Sequence, residues 1–306
     1  MKATLARLQK RVGKSKAKLL SAGSASDILG VIPTGIDILD QYVFGIGGLP
    51  VGRIMEVYAD EGVGKTSFLC HIMAAVQQLG GITALAETEK KLDSKRAAVF
   101  GCDTKKVIYE EPDTIEDTLL WMQEVLHSLP DADPDGPPHF IGWDSLAASQ
   151  SQGELEEGIA GKGDRPGQRA KQMSKAMRII PSLAVKKRAC LFIINQTRDN
   201  IGVLFGDKKV TPGGNALKFA ATLRLALYGG KSIKNGEQHV GKFITFMTAK
   251  SQISAPFRKA KVQLYYATGF DNLHATISYA KDMGCVPKAA KYTEETLAEA
   301  RKALGW

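Results

Sequence analysis

An α/β fold, with a mainly parallel, twisted sheet covered by helices on both faces, is predicted by three observations. Short apolar runs alternate with amphipathic runs of helical length between residues 53 and 249. A glycine-rich octet stands between the first of those strands and the helix after it. Two further strands run into carboxylates. Strands separated by helical crossovers pair in parallel and are buried on both faces. No internal repeat of roughly 20 to 50 residues is present, which excludes a solenoid.

The elements follow in order. Residues 3 to 20 predict a helix, with Leu5, Leu8, Val12, Leu19 and Leu20 on one face and basic residues on the other. Ser21 to Ser26 is a small-residue linker, and Ile36 to Tyr42 predicts a short helix before the turn Gly45-Ile46-Gly47-Gly48-Leu49-Pro50. Strands are predicted at Arg53–Tyr58, Ile82–Ala86, Lys105–Tyr109, Phe140–Trp143, Leu191–Ile194, Ala221–Tyr228 and Phe243–Ala249. Helices are predicted at Lys65–Leu79, Ile115–Leu129 and Gln168–Val185. Three parts result: an arm and linker (1–33), a core (34–269) and a short helical tail (270–306).

At 306 residues the chain buries a full core without disulfides or structural metal. Its 44% hydrophobic and 24% charged content excludes collagen-like, mucin-like and wholly disordered classes. The longest apolar stretch, Ala189 to Ile194, is far short of the roughly 20 residues a membrane helix needs, so no membrane partner is expected. Cys70, Cys102, Cys190 and Cys285 stand singly, with no C-x-x-C pair and no histidine at ligand spacing. That argues against zinc and disulfides and for a reducing, cytoplasmic compartment.

The net charge is +9, and residues 1 to 20 hold seven basic side chains and no acid. The high pI therefore belongs to the amino-terminal arm. Such an arm suits nucleic acid, an acidic membrane or an acidic neighbouring subunit. It lacks the apolar core of a secretory signal, although basic, acid-free amphipathic character is also that of an organelle transit peptide.

The most specific local signal is Ala59-Asp60-Glu61-Gly62-Val63-Gly64-Lys65-Thr66, followed by Ser67. It follows a strand and opens a helix, which is the context a P-loop requires. Gly62 and Gly64 let successive N–H groups turn toward phosphate oxygens, and the helix start adds its positive dipole end. Lys65 would reach the β- and γ-phosphates of ATP, and the Thr66 hydroxyl would ligate Mg²⁺. Phe140 to Asp144 is an apolar strand ending in an acid, so Asp144 would hold the same metal directly or through its water. Hydrolysis also needs a group that polarises water. Glu87 and Glu89 point the same way from a strand end, and spacing leaves the choice between them open.

Together with other blocks, these residues resemble the RecA recombinase family over about residues 30 to 270. The blocks are Gly47–Arg53, the P-loop with Glu61, Glu89 with Leu92-Asp93, and Asp144 to Ala148. Ser174–Arg178, Ile194–Arg198, Ile201–Gly206, Gly213–Phe219 and Ala255–Phe257 continue the likeness. The resemblance implies a P-loop NTPase core of the RecA type with an amino-terminal oligomerisation arm. Glu89 matches the family's catalytic glutamate, and Asp93 and Arg96 fall where the family contacts adenine. Gln196 matches its γ-phosphate sensor. Lys250 matches a residue that approaches the neighbouring subunit's ATP; where the family often has a second lysine, this chain has Gln252. Two DNA-binding loops are implied, about 153–167 and 197–215. The resemblance gives DNA contacts to Lys171, Arg178, Arg198, Ile201, Gly202, Val203, Gly213, Gly214 and Asn215.

Chemistry supports the same loops. Residues 153 to 167 contain five glycines among charged side chains, a composition that does not pack into a core. Residues 197 to 215 carry Arg198, Lys208 and Lys209 for phosphates, and Ile201, Val203 and Phe205 to wedge between bases. Few phosphate contacts per subunit demand many subunits along one strand. The expectation is an ATP- and Mg²⁺-dependent recombinase, filamentous on single-stranded DNA, that pairs it with homologous duplex. The alternatives are a ring-forming helicase-like motor and an idle filament or mediator protein. The tail has no acidic run, so weaker self-inhibition of duplex binding is expected.

Overall fold

The computed structural model describes residues 1–12, 17–22, 24, 27–157, 167–199 and 209–306. Helix α1 (Lys2–Val12) is followed by strand β1 (Val31–Ile32), a π-helical turn at Ile38–Val43 and strand β2 (Leu49–Pro50). Next come β3 (Ile54–Ala59), α2 (Lys65–Gln78), β4 (Thr83–Glu87), α3 (Ser94–Val99), β5 (Val107–Glu110), α4 (Ile115–Ser128) and β6 (His139–Asp144). Then α5 (Gln152–Glu157), α6 (Gln168–Lys186), β7 (Ala189–Gln196), β8 (Arg198–Asp199), β9 (Lys209–Val210) and α7 (Gly214–Ala220). The chain finishes with β10 (Leu223–Asn235), β11 (Gln238–Ser251), β12 (Lys259–Tyr265), β13 (Gly269–Asp271), α8 (Asn272–Asp282) and α9 (Glu294–Leu304).

Among the described residues one nine-stranded sheet dominates, in the order β13-β12-β11-β10-β3-β7-β6-β4-β5. From β5 to β10 every neighbouring pair is parallel, and from β10 to β13 every pair is antiparallel. The expected α/β class with a mainly parallel sheet is therefore observed, extended by an antiparallel meander at one edge.

Alternation along the central strands assigns side chains to two cores. Met55 and Val57 of β3, with Phe192 and Ile194 of β7, pack beneath α2 and the residues around Ile36–Phe44. Ile54, Leu191 and Ile193 point the other way, onto α4, α6 and α7. Burial on both faces explains why these strands read as continuous apolar runs. The tail folds as α8 against α9 around Ile277, Ala280, Leu297 and Ala300. Trp306 stacks on Tyr279 with ring centroids 5.6 Å apart, and Arg301 bonds Asp37 at 2.7 Å, tying the tail to the start of the core.

Several elements depart from the reading of the sequence. Of the predicted helix over residues 3 to 20, Lys2–Val12 is observed as α1, residues 17 to 19 are non-helical and Leu20–Ala22 is a 3₁₀ turn; residues 13 to 16 lie outside the described residues. β10 and β11 run well beyond the predicted spans, because their hairpin pairs polar residues whose only order comes from the partner strand. The sequence pattern does not predict α3, β12 or β13. Lys259–Tyr265 alternates polar and apolar residues, pairs with β11 in the sheet and meets α8.

Candidate nucleotide site and loop root

The strand order brings the carboxyl ends of β3, β4, β6 and β7 side by side, so the residues after them share one crevice. A cavity of about 100 Å³ there is lined by Glu61, Gly62, Gly64, Lys65, Thr66, Ser67, Glu89, Arg96, Asp144 and Gln196. These come from four separate stretches of the chain.

The loop from β3 to α2 requires glycine at Gly64. Its φ is +127°, and a Cβ there would stand 2.8 Å from the Ile244 side chain. Val63, half-buried, packs on the core below α2. Lys65 Nζ donates to the carbonyl oxygens of Asp60 at 2.8 Å and Ala59 at 3.2 Å. Burial holds the Lys65 pKa below its ordinary value, against the pull of Asp144, Glu89, Asp60 and Glu61. Thr66 Oγ1 donates to Asp144 Oδ2 at 2.6 Å. Asp144 is buried, and that burial pushes its pKa up to about 7; the Thr66 bond opposes the rise, and Glu89 and Glu87 add to it.

These groups fit a magnesium nucleotide. Thr66 and Asp144 offer hard oxygen donors side by side. Lys65 is a buried ammonium held by carbonyls alone among the described contacts. Ser67 Oγ is buried in the cavity wall without a hydrogen-bond partner among the described residues, the kind of orphan that a ligand satisfies.

Glu87 and Glu89, equal by spacing, are separated by the fold. Glu87 is buried, and its carboxylate accepts from the amides of Glu89 at 2.9 Å and Lys91 at 3.0 Å, so it caps the turn after β4. Glu89 faces the cavity. Its Oε1 accepts from Ser145 Oγ and from Gln196 Nε2, each at 2.7 Å. Burial raises the Glu89 pKa, but these two bonds and the nearby Lys91 outweigh it and hold the carboxyl below its usual range. Thr88 supports the arrangement: its hydroxyl donates to the Ser145 carbonyl at 2.9 Å and accepts from the Ser145 amide at 3.0 Å.

Other predicted residues are not gathered into this cavity. Asp93 caps α3, accepting from the Lys95 amide at 3.0 Å, and lines an adjacent cavity of about 510 Å³ with Met73, Leu85 and Leu92. Asp60 turns its carboxylate to the Thr197 hydroxyl. Lys250 donates to the carbonyls of Lys218 at 2.8 Å and Phe219 at 2.9 Å, closing the carboxyl end of α7. Within one chain it is therefore a helix cap away from the P-loop.

Lys171 and Arg178 are exposed on α6, and Arg198 is exposed on β8. Gly213 (φ +92°) and Gly214 (φ +70°) begin α7 together with exposed Asn215. The left-handed φ of Gly213 favours glycine, and a Cβ there would lie 2.6 Å from the Leu146 side chain. Ile201, Gly202 and Val203, with Phe205 and residues 158–166 of the other loop, lie outside the described residues.

The sequence reading missed the groups that hold the loop root. Glu56, fully buried in β3, faces Arg224 across the β3–β10 ladder and forms an ion pair with it. Asn195 Nδ2 donates to Glu56 Oε1 and to the Pro212 carbonyl, each at 3.0 Å. The available signal was one acid inside the apolar run Ile54–Ala59, which a buried strand tolerates only with a partner.

A pH dependence follows from burial. Asp40 accepts from Thr34 and Gly35, yet burial lifts it to about 7, as it does Asp144. A carboxyl raised in the fold contributes stability that is full below the unfolded value and lost as pH rises through about 7. Without metal or nucleotide, the stability of the wild type relative to Asp144→Asn is expected to fall from about pH 4 to about pH 7, by at most about 1.4 kcal/mol per unit. Urea titrations of both proteins across that window check it; a constant difference would contradict the assignment.

Comparison with known proteins gives a consistent result. The model of the RecA N-terminal domain family matches residues 1–271. A protein named Protein RecA from Heliobacterium modesticaldum is 34% identical over 286 residues, covering 93% of this chain and 80% of that one. The Protein RecA of Bacteroides thetaiotaomicron is 32% identical over 306 residues, 99% of this chain and 89% of its own. That of Thermotoga maritima is 33% identical over 303 residues, 98% of this chain and 82% of its own.

Proposed function

This chain belongs to the RecA family, and from that premise we propose that it is a DNA-dependent ATPase that polymerises on single-stranded DNA. In that form it promotes pairing and strand exchange with homologous duplex. The observation that carries the reading is the 2.7 Å bond from the Gln196 amide to Glu89. The group proposed to activate water and the residue preceding the 197–215 segment are thereby one hydrogen-bonded unit.

In this reading Lys65, with the P-loop amides of Glu61 to Ser67, binds the triphosphate of ATP. Thr66 and Asp144 hold Mg²⁺. The metal, when bound, neutralises phosphate charge and polarises the phosphoryl oxygens. Glu89, kept ionised, orients and deprotonates the attacking water, and the cleaved bond leaves ADP and phosphate. Gln196 exchanges its bond to Glu89 for the γ-phosphate, which moves the strand end and the DNA-binding segment after it. Asp93 and Arg96 take the adenine side.

Lys250, which caps α7 away from the P-loop of its own chain, and the exposed Phe257 are assigned to the nucleotide site of a second protomer. α1 buries none of its residues, and Leu8 and Val12 are exposed on it. Those side chains suit docking onto a neighbour, and a head-to-tail contact that does not close gives a helical filament. Lys171, Arg178, Arg198 and the 197–215 segment with Ile201, Gly202, Val203, Gly213, Gly214 and Asn215 are assigned to DNA. A cytoplasmic setting belongs to the proposal, in keeping with four unpaired cysteines. No helix among the described residues is long and apolar enough to cross a membrane.

The test is phosphate release with and without single-stranded DNA, with negative-stain images of the same mixtures. Stimulated release with helical filaments is expected. Closed rings that unwind duplex without strand exchange would replace the proposal with a helicase-like motor. Filaments without release would replace it with an idle scaffold.

A further inference from the structure

Thr197, the residue that follows β7, is fastened to the P-loop at two points. Its amide donates to the Ala59 carbonyl at 3.2 Å, and its hydroxyl donates to the Asp60 carboxylate. The carbonyls of the same two residues also hold the Lys65 ammonium. Immediately after Thr197, Arg198 and Asp199 pair with Val210 and Lys209. This two-residue ladder closes the root of the 197–215 segment. The path from Lys65 to the root therefore runs through Ala59, Asp60 and Thr197, and it bypasses the Glu89–Gln196 bond.

The carboxylate is out of place electrostatically. A P-loop attracts anions, and Asp60 sets a negative charge inside it, opposed to the ligand that the loop would bind. Its side chain turns instead to the residue that starts the loop root. We propose that Asp60 and Thr197 are positioning residues that latch the root of the 197–215 segment to the nucleotide-free P-loop. The proposal rests on the reading that nucleotide occupancy governs DNA binding by that segment.

Phosphate oxygens are stronger acceptors for an ammonium than backbone carbonyls are. On binding a triphosphate, Lys65 leaves Ala59 and Asp60. The Asp60 carboxylate then loses a neighbouring cation and gains a neighbouring anion. It moves, and the Thr197 hydroxyl loses its acceptor. A ligand shifts a conformational equilibrium only by its different interaction with the two states, and the latch supplies such a difference.

The test uses the full chain and three proteins: wild type, Thr197→Val, which removes the hydroxyl at nearly constant volume, and Thr197→Ser, which restores it. Anisotropy of a labelled oligothymidylate gives single-strand affinity with and without a non-hydrolysable ATP analogue. Hydrogen exchange at the amides of residues 197 to 199 reports the root itself. In Thr197→Val, the ratio of the two affinities is expected to fall about fivefold, mainly through tighter binding without nucleotide. Its root amides should exchange faster without nucleotide, and Thr197→Ser should match the wild type in both measurements. If the wild type couples nucleotide to DNA and the valine protein does so within about twofold of it, the latch is refuted while the functional reading stands. Serine behaving like valine also refutes the latch, since side-chain shape rather than the hydroxyl would then matter. A wild type with no nucleotide dependence overturns the functional reading and the latch together.

Discussion

Glu89→Gln is expected to lower single-strand-stimulated phosphate release about 100-fold or more, the usual span for a lost general base. The substitution isolates charge from shape. A glutamine oxygen at this position still accepts from Ser145 and Gln196, the two donors that hold Glu89 at 2.7 Å each. The nucleotide site therefore keeps its form, and binding of ATP and DNA should survive. Filaments should persist longer after ATP addition, since hydrolysis is what releases them in the proposed cycle. Glu87→Gln should behave differently. Its carboxylate caps the turn after β4 through two backbone amides, so its loss should lower stability more than the rate of a folded sample. A Glu89→Gln protein that retains more than about a tenth of wild-type release would remove Glu89 from the chemistry.

Truncation of Glu56 carries the largest expected effect on stability. Glu56→Ala leaves Arg224 and the Asn195 amide facing a buried gap in the central strands. Breaking one side of a buried ion pair costs about 3 to 5 kcal/mol. The guanidinium also lies over the Tyr58 ring at 4.8 Å, which fixes it in place and limits its escape to water. Urea unfolding of wild type and variant measures the loss. The double replacement Glu56→Met with Arg224→Leu should recover most of it, because apolar side chains of similar volume often replace a buried pair without penalty. A loss under about 1 kcal/mol for Glu56→Ala would mean that water reaches the pair and that it does not lock the loop root. Asn195 connects this pair to Pro212 at 3.0 Å, so Glu56→Ala should also weaken nucleotide-dependent DNA binding in the fraction that remains folded.

The amino-acid sequence by itself determined the fold class, the family and the residues that gather at the P-loop. Those signals are local: a strand, a glycine turn, a helix start and an acid at a strand end lie within a few residues of one another. Their chemistry survives whatever surrounds them. Tertiary structure decided what depends on pairing across long separations. It separated Glu87 from Glu89, which the two-residue period of a strand makes equivalent, by giving one of them two backbone amides to cap. It set Arg224 opposite Glu56 through the register of β3 and β10, and Thr197 beside Asp60 through the adjacency of β3 and β7. It also set the Lys250 ammonium against the Lys218 and Phe219 carbonyls at the end of α7. Register and strand order bring together residues more than a hundred positions apart, and no local periodicity encodes which of them will meet.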